Sequence, residues 1–195
     1  MTNFAQVCRK LRERLRPLGD LRIEAGEIEQ AAVALILRHG DSQGEILIIK
    51  RAEHPSDPWS GHLALPGGRA ESDDVDLRAV AVRETLEEVG IDLAAGGEWI
   101  GRLDQLQPVT RRLPLIAVMP LVAIAPPDVS PSPNLREVED AFWMPLAELK
   151  RTGRTDCVRL ILHGQAREWP AYPSPRGAIW GMTERILTQF LALID

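Results

Sequence analysis

Two uninterrupted apolar runs dominate the first third of the chain. Ala31-Ala32-Val33-Ala34-Leu35-Ile36-Leu37 and Glu45-Ile46-Leu47-Ile48-Ile49-Lys50-Arg51 flank the polar stretch His39-Gly40-Asp41-Ser42-Gln43-Gly44. Short apolar runs bounded by turn residues read as largely buried strands, here joined as a hairpin. Residues 52 to 62 carry Pro55, Pro58 and Gly61 and read as loop, leading into a short strand, Leu63-Ala64-Leu65-Pro66, that Gly67 and Gly68 stop. A helix is expected from Leu77 through Val89, with Asp76 or Asp74 as its N-cap and Gly90 as the left-handed residue at its end. Strands follow at 98–103 and 114–124, then a Pro-rich surface loop at 125–133, a short helix opened by Pro145 and running through Lys150, and one or two short strands within 154–172. At the two ends the apolar positions take a helical period. Phe4, Val7, Cys8, Leu11 and Leu15 predict an amphipathic helix over 3–16, and Ile179, Met182, Ile186, Leu187, Phe190 and Leu193 predict another over 179–194.

Alternating strands and helices indicate an α/β or α+β layer protein, and the hairpin spacing at 31–51 makes its sheet mixed rather than all parallel. Neither GxGxxG nor GxxxxGK[ST] occurs, so the two common phosphate-cradling loops are missing. The 195 residues suffice for a single domain, 1–195, with one sizeable core. A formal charge of -5 argues against nucleic acid or an anionic membrane as the main partner. Cys8 and Cys157 are isolated, which suggests neither a disulfide framework nor a thiolate zinc site and fits a reducing, cytoplasmic setting.

The helix at 77–89 carries the candidate chemistry. At about 100° per residue, Ala79, Val82, Leu86 and Val89 fall in one wedge and Glu84, Glu87 and Glu88 in the opposite one. Three like charges on one face repel, and a hard divalent cation such as Mg²⁺ or Mn²⁺ would compensate them; a plain solvated face is the alternative. Arg83 stands beside that face, placed to pair with Glu87 or with an acid of the 71–76 loop. Pro66-Gly67-Gly68 offers a turn whose carbonyls a metal can approach closely, because glycine has no side chain in the way.

The order of strand, Pro-Gly-Gly, acidic loop and Arg83-Glu84-Thr85-Leu86-Glu87-Glu88-Val89-Gly90-Ile91 resembles the box of the Nudix hydrolases, G-x5-E-x7-R-E-U-x-E-E-x-G-U with U aliphatic. Thr85 stands at the first U position, and one extra residue lies between Gly68 and Arg83, so that Glu71, Asp73 or Asp74 must replace the box's first glutamate; Asp74 is favoured. The Pro-Gly-Gly, the Asp-rich loop and the added residue are most similar to the coenzyme A pyrophosphatase branch, as are Asn134-Leu135-Arg136-Glu137-Val138-Glu139, Trp143-Met144-Pro145-Leu146 and Ile179-Trp180-Gly181-Met182-Thr183. Ser60-Gly61-His62-Leu63-Ala64-Leu65 departs from that branch's usual Ser-Phe before Pro-Gly-Gly. The resemblance implies an α/β/α sandwich with a mixed β-sheet and metal-dependent hydrolysis of a pyrophosphate bond in a nucleoside diphosphate linked to another group. It implies coenzyme A or a derivative as substrate; ADP-ribose, nucleoside diphosphate sugars and nucleoside triphosphates are the alternatives, and a non-catalytic nucleotide-binding module is the alternative of another class. It also implies Mg²⁺ or Mn²⁺ on Glu84, Glu87 and Glu88, with Arg83 and Glu84 in the catalytic machinery. The general base comes from the box helix or a distal loop, where Glu137 is preferred to Glu139. The expected partner is a small nucleotide, with a homodimer as candidate assembly.

Other residues have two readings each. Gly67, Gly68, Arg51 and Arg69 are candidates for substrate contact, the arginines otherwise being solvated surface; Arg111-Arg112 are read the same way. His62 faces a phosphate or is a structural histidine, Trp59 is placed to stack on a base, and Trp180 is expected to anchor the final helix in the core.

Overall fold

A computed structural model describes residues 3–24, 26–40, 43–54, 59–108, 115–162 and 165–195. The two apolar runs form β1 (Glu29–Arg38) and β2 (Glu45–Arg51), antiparallel neighbours that pair only near their shared end, Leu37 with Ile46 and Arg38 with Glu45. Below that point they part. β1 pairs along nine positions in parallel with β6 (Ile116–Ile124), while β2 turns to β3 (Leu63–Ala64) and to β7 (Val138–Pro145). β4 (Gly67–Arg69) fills the fork, antiparallel to β1, and β5 (Glu98–Arg102) closes the far edge beside β6. The sheet is therefore mixed, as the hairpin spacing required.

Alternation along the strands gives the sheet two apolar faces. Ala32, Ala34 and Ile36 of β1, Leu47 and Ile49 of β2, and Leu121 and Ala123 of β6 pack under α2 (Leu77–Val89) through its Leu77, Val80 and Ala81. The intervening residues Leu35, Leu37, Ile46, Ile48 and Val122 meet the opposite layer: α1 (Phe4–Arg14), α3 (Leu146–Thr152) and α4 (Gly181–Ile194). Each of those five is fully buried and contributes about 1.5–3 kcal/mol. The result is an α/β/α sandwich with a mixed sheet. A separate three-stranded sheet, β8 (Asp156–Leu162), β9 (Gln165–Ser174) and β10 (Gly177–Trp180), feeds directly into α4. Among the described residues no helix is long and apolar enough to cross a membrane.

Several expectations shift. The N-terminal helix spans 4–14 rather than 3–16, held at its start by a reciprocal Asn3–Gln6 capping box; Leu15 is already extended and Arg16 pairs with Arg102 beside β5. The final helix begins at Gly181, not Ile179, because Gly177–Trp180 pair with β9 as a strand. Gly67 and Gly68 do not end a strand but start β4. The pattern predicts only the helix after Pro145, whereas Val138–Pro145 form β7, and that proline both closes the strand and stands at the N-cap of α3. The start of the expected 114–124 strand and the arginines at 111 and 112 lie outside the described residues.

Candidate active site

Helix α2 is set by its ends. Asp76 accepts a hydrogen bond from the Ala79 N–H at 2.8 Å, and Gly90, at φ 67°, takes the left-handed conformation that stops the helix. Between them the helix is turned from the wheel's reading. Leu77, Val80, Ala81, Thr85, Glu88 and Val89 face inward, whereas Leu86 is 48% exposed. Two of the three carboxylates point at the protein: Glu88 is 3% exposed and the Glu84 side chain 14%, while Glu87 stays half-exposed. The inward face is part apolar and part carboxylate, so the apolar wedge alone misplaces it.

What that face meets is β4. The Gly67 N–H donates to Glu88 Oε2 at 2.9 Å. A Cβ on Gly68 would collide with the Glu84 carboxylate, and one on Gly67, at φ 146°, would strike the backbone of Ala32 and Val33. Gly68 thus leaves room for the Glu84 carboxylate, and Gly67 for the close approach of β1.

Arg83 organises the rim. Its Nε and Nη2 grip Asp74 at 3.2 and 2.9 Å, its Nη1 reaches Glu84 at 3.0 Å and Glu87 at 3.2 Å, and its Nη2 also donates to the Arg69 carbonyl at 3.0 Å. Asp74 is the acid of the loop that engages Arg83 in this two-pronged way; Glu71 stands at 3.8 Å. Burial works to raise the Asp74 carboxyl, but the Arg83 fork and the Glu71 N–H outweigh it and hold the group below its ordinary range. The same contacts, Asp74 foremost, hold Arg83 above its ordinary value.

The two inner carboxylates behave in the opposite sense. Burial raises Glu84, against the pull of Arg83. Glu88 is pushed up to about 8: burial is the main cause, and the charges of Glu84 and Glu137 add to it while the Gly67 N–H and Arg51 oppose it. Two buried carboxyls raised side by side form an oxygen-only donor set with unmet demand for positive charge. That fits a hard divalent cation held by Glu84 and Glu88. Glu87 is half-exposed and turned to Arg83, so it sits at the margin, and among the described residues no three acidic, histidine or cysteine groups converge as a closed cage.

The distal acids arrive by way of the end of α2. Ser132 N–H donates to the Val89 carbonyl at 2.8 Å and Asn134 N–H to the Glu88 carbonyl at 2.9 Å, which pins the 132–134 segment to the helix. Glu137 N–H then bonds the Asn134 carbonyl, and the Glu137 carbonyl receives the Ala52 N–H at 2.8 Å. Glu137 is thereby held close enough for its charge to act on Glu84 and Glu88. Glu139 is instead paired with Lys50 at 2.7 Å.

Arg51, at the end of β2, brings its guanidinium to 4.0 Å from Glu88. Arg69 does not join it: opposite Ala31 in the ladder, it pairs with Glu29 at 3.1 Å and offers the site only its carbonyl. His62 lies against Trp180, ring centroids 4.6 Å apart, and Trp180 is half-buried at the start of α4 rather than in either main core cluster. Trp59 is half-buried in the turn before His62. The sequence does not reveal that the 132–134 segment anchors the distal acids to α2, because backbone hydrogen bonds leave no side-chain signature.

An inward carboxylate pair against a glycine strand, with Arg83 on Glu84 and Arg51 near Glu88, can gather a cation and an anionic substrate in one place. Similarity to known proteins identifies the class. The family model described as the NUDIX domain matches residues 28–162. The chain is 35% identical over 161 residues to an uncharacterized Nudix hydrolase, NudL, of Enterobacter sp., covering 82% of this chain and 80% of that protein. It is 43% identical over 110 residues to an uncharacterized protein of Schizosaccharomyces pombe; that match covers 53% of this chain but spans only 32% of the yeast protein. Among solved structures, a MutT/nudix family protein from Enterococcus faecalis superposes with a TM-score of 0.58 at 15% identity, over 86% of this chain and 62% of that one. The chain belongs to the Nudix family and is a Nudix hydrolase, one of the enzymes that split the pyrophosphate bond of nucleoside diphosphate derivatives, generally with divalent metal ions.

Proposed function

We propose that the substrate is coenzyme A or a close derivative, cleaved at its diphosphate by the site between α2 and β4. The observation that supports a diphosphate substrate most directly is the inward Glu84–Glu88 pair with Arg51 at 4.0 Å, a place where an anion and its counter-cations complete an unbalanced set of charges. The extra residue between Gly68 and Arg83 supports the coenzyme A branch.

In this reading Glu84 and Glu88, with Glu87 at the rim and a carbonyl of Gly67 or Gly68, would hold Mg²⁺ or Mn²⁺, which when bound would supply charge neutralisation and a more acidic water. Arg83 keeps Glu84 and Glu87 in place and Arg51 meets the substrate's negative charge. Glu137 takes the proton of the attacking water. Residues 1–195 act as one domain, in the cytoplasm, on a small nucleotide rather than on nucleic acid or membrane, with a homodimer as the assembly.

The substrate is tested by mass spectrometry of products from a panel of coenzyme A, ADP-ribose, nucleoside diphosphate sugars and nucleoside triphosphates. Phosphopantetheine and adenosine 3′,5′-bisphosphate are the expected products; rapid turnover of ADP-ribose with coenzyme A untouched would reject the assignment. For the base, Glu137→Gln should lower kcat by about 10²-fold or more while Glu139→Gln changes it little. Equal effects of the two would remove Glu137 from that role.

A further inference from the structure

We infer that Asn134 is the positioning residue for Glu137, setting the distal carboxylate against the C-terminal turn of α2 through its backbone and its side-chain amide together. The inference rests on the reading of Glu137 as the base and names what aims it.

Asn134 is hydrogen-bonded at all four of its polar atoms. Its N–H donates to the Glu88 carbonyl at 2.9 Å, so the turn starts from the residue that is the most deeply buried acid of α2. Its carbonyl accepts the Glu137 N–H at 2.9 Å and the Val138 N–H at 2.8 Å. The side chain works on the same turn: Oδ1 accepts the Arg136 N–H at 3.3 Å, and Nδ2 donates to Glu137 Oε1 at 3.4 Å. From the other side, the Glu137 carbonyl receives the Ala52 N–H at 2.8 Å, and the fully buried Val138 stands opposite Arg51 in the β2–β7 ladder. The backbone of Glu137 is thus fixed from two directions. Among the described residues, the hydrogen-bond partner of its carboxylate is the Asn134 amide.

Fixing the turn needs only an acceptor, since Asn and Asp side chains both take the N–H two residues on. What the amide adds is a donor beside a carboxylate. At 3.4 Å that neutral donor makes a long bond, which directs Glu137 without the charge-assisted grip that Lys50, at 2.7 Å, has on Glu139. A directed carboxylate with lone pairs to spare is what activation of a water requires.

Asn134→Asp is the separating variant, because it keeps the acceptor for the turn and replaces the donor by a like charge. Hydrolysis is followed with whichever of coenzyme A, ADP-ribose or a nucleoside diphosphate sugar the wild type turns over fastest. The variant should lower kcat about 10- to 100-fold, with KM and Mn²⁺ affinity within about twofold. Asn134→Ser, which keeps an acceptor and adds no charge, should lose less, and it decides the matter if the aspartate variant melts early. In a Glu137→Gln background either substitution should cost less than about threefold, because the group it aims is gone. Losses that multiply in the double variants, a parallel loss of Mn²⁺ affinity, or wild-type kcat in Asn134→Asp overturns the positioning role and leaves Glu137 as the base. Wild-type kcat in Glu137→Gln removes the base itself, and the role of Asn134 falls with it.

Discussion

Glu88→Gln is expected to cut turnover by about 10²- to 10³-fold and, in the metal-free protein, to raise stability at alkaline pH. The two effects have one origin. Glu88 is buried against Glu84 with a single backbone donor, and its pKa rises from 4.5 to about 8 in the folded protein. The folded state thus holds this proton more tightly than the unfolded chain does. Stability is greatest below the unfolded value, falls as pH climbs from 4.5 through 8, and above that carries the full penalty. At about 1.4 kcal/mol per pKa unit the penalty reaches a few kcal/mol. Glutamine stays neutral throughout, so the variant escapes it. Melting curves in EDTA at pH 5 and pH 8.5 should converge at the lower pH and separate at the higher, with the variant more stable. Mg²⁺ at a hundredfold excess over its Kd should then return about 2.7 kcal/mol to the wild type and far less to the variant. Parallel pH curves for the two proteins would mean that Glu88 is not a strained carboxylate awaiting a cation.

Arg83→Ala is expected to be the most destabilising single change at the site, by about 3 kcal/mol or more, together with a large loss of turnover. The side chain of Asp74 is only 6% exposed and is gripped at 2.9 and 3.2 Å, so truncation leaves a buried carboxylate without its counter-charge. It also frees Glu84 and Glu87 and strips the Arg69 carbonyl of its donor. Arg83→Lys should recover only part of this, because one ammonium cannot reproduce the fork that holds Asp74. Urea denaturation of the two variants is the check. A loss below about 1 kcal/mol in the alanine variant would show that the clamp carries no structural weight.

The strands of the central sheet were legible because continuous apolar runs bounded by turn residues have few other uses. Helix α2 and its caps were legible for the same kind of reason: Asp76 and Gly90 perform local tasks that depend on neither partner nor packing. The orientation of that helix was not. Its wheel offers Leu86 as part of the buried side, but Leu86 faces solvent, while Val80 and Ala81 share the inside with Glu84 and Glu88 against the glycine strand. β7 escaped because its inner positions are only half-buried and it ends in a proline, so Val138 to Pro145 lacks the unbroken apolar run that marks β1 and β6. The start of α4 was drawn too early since Ile179 fits a helical stripe and a strand equally well; pairing with Tyr172 decides it. The box acids were recognisable from order alone, whereas the roles of Arg51 and Arg69 separated only through register, which sends one toward Glu88 and the other to Glu29.

In the proposed function Glu84 and Glu88 form a cation site that serves diphosphate hydrolysis. Mn²⁺ titration followed by electron paramagnetic resonance, on wild type, Glu84→Gln and Glu88→Gln, with nucleoside diphosphate hydrolysis measured on the same samples, addresses it most directly. Tight Mn²⁺ binding by the wild type, lost in both variants along with hydrolysis, is the predicted result. Undiminished Mn²⁺ binding in Glu88→Gln, or wild-type hydrolysis that persists in EDTA, would contradict it.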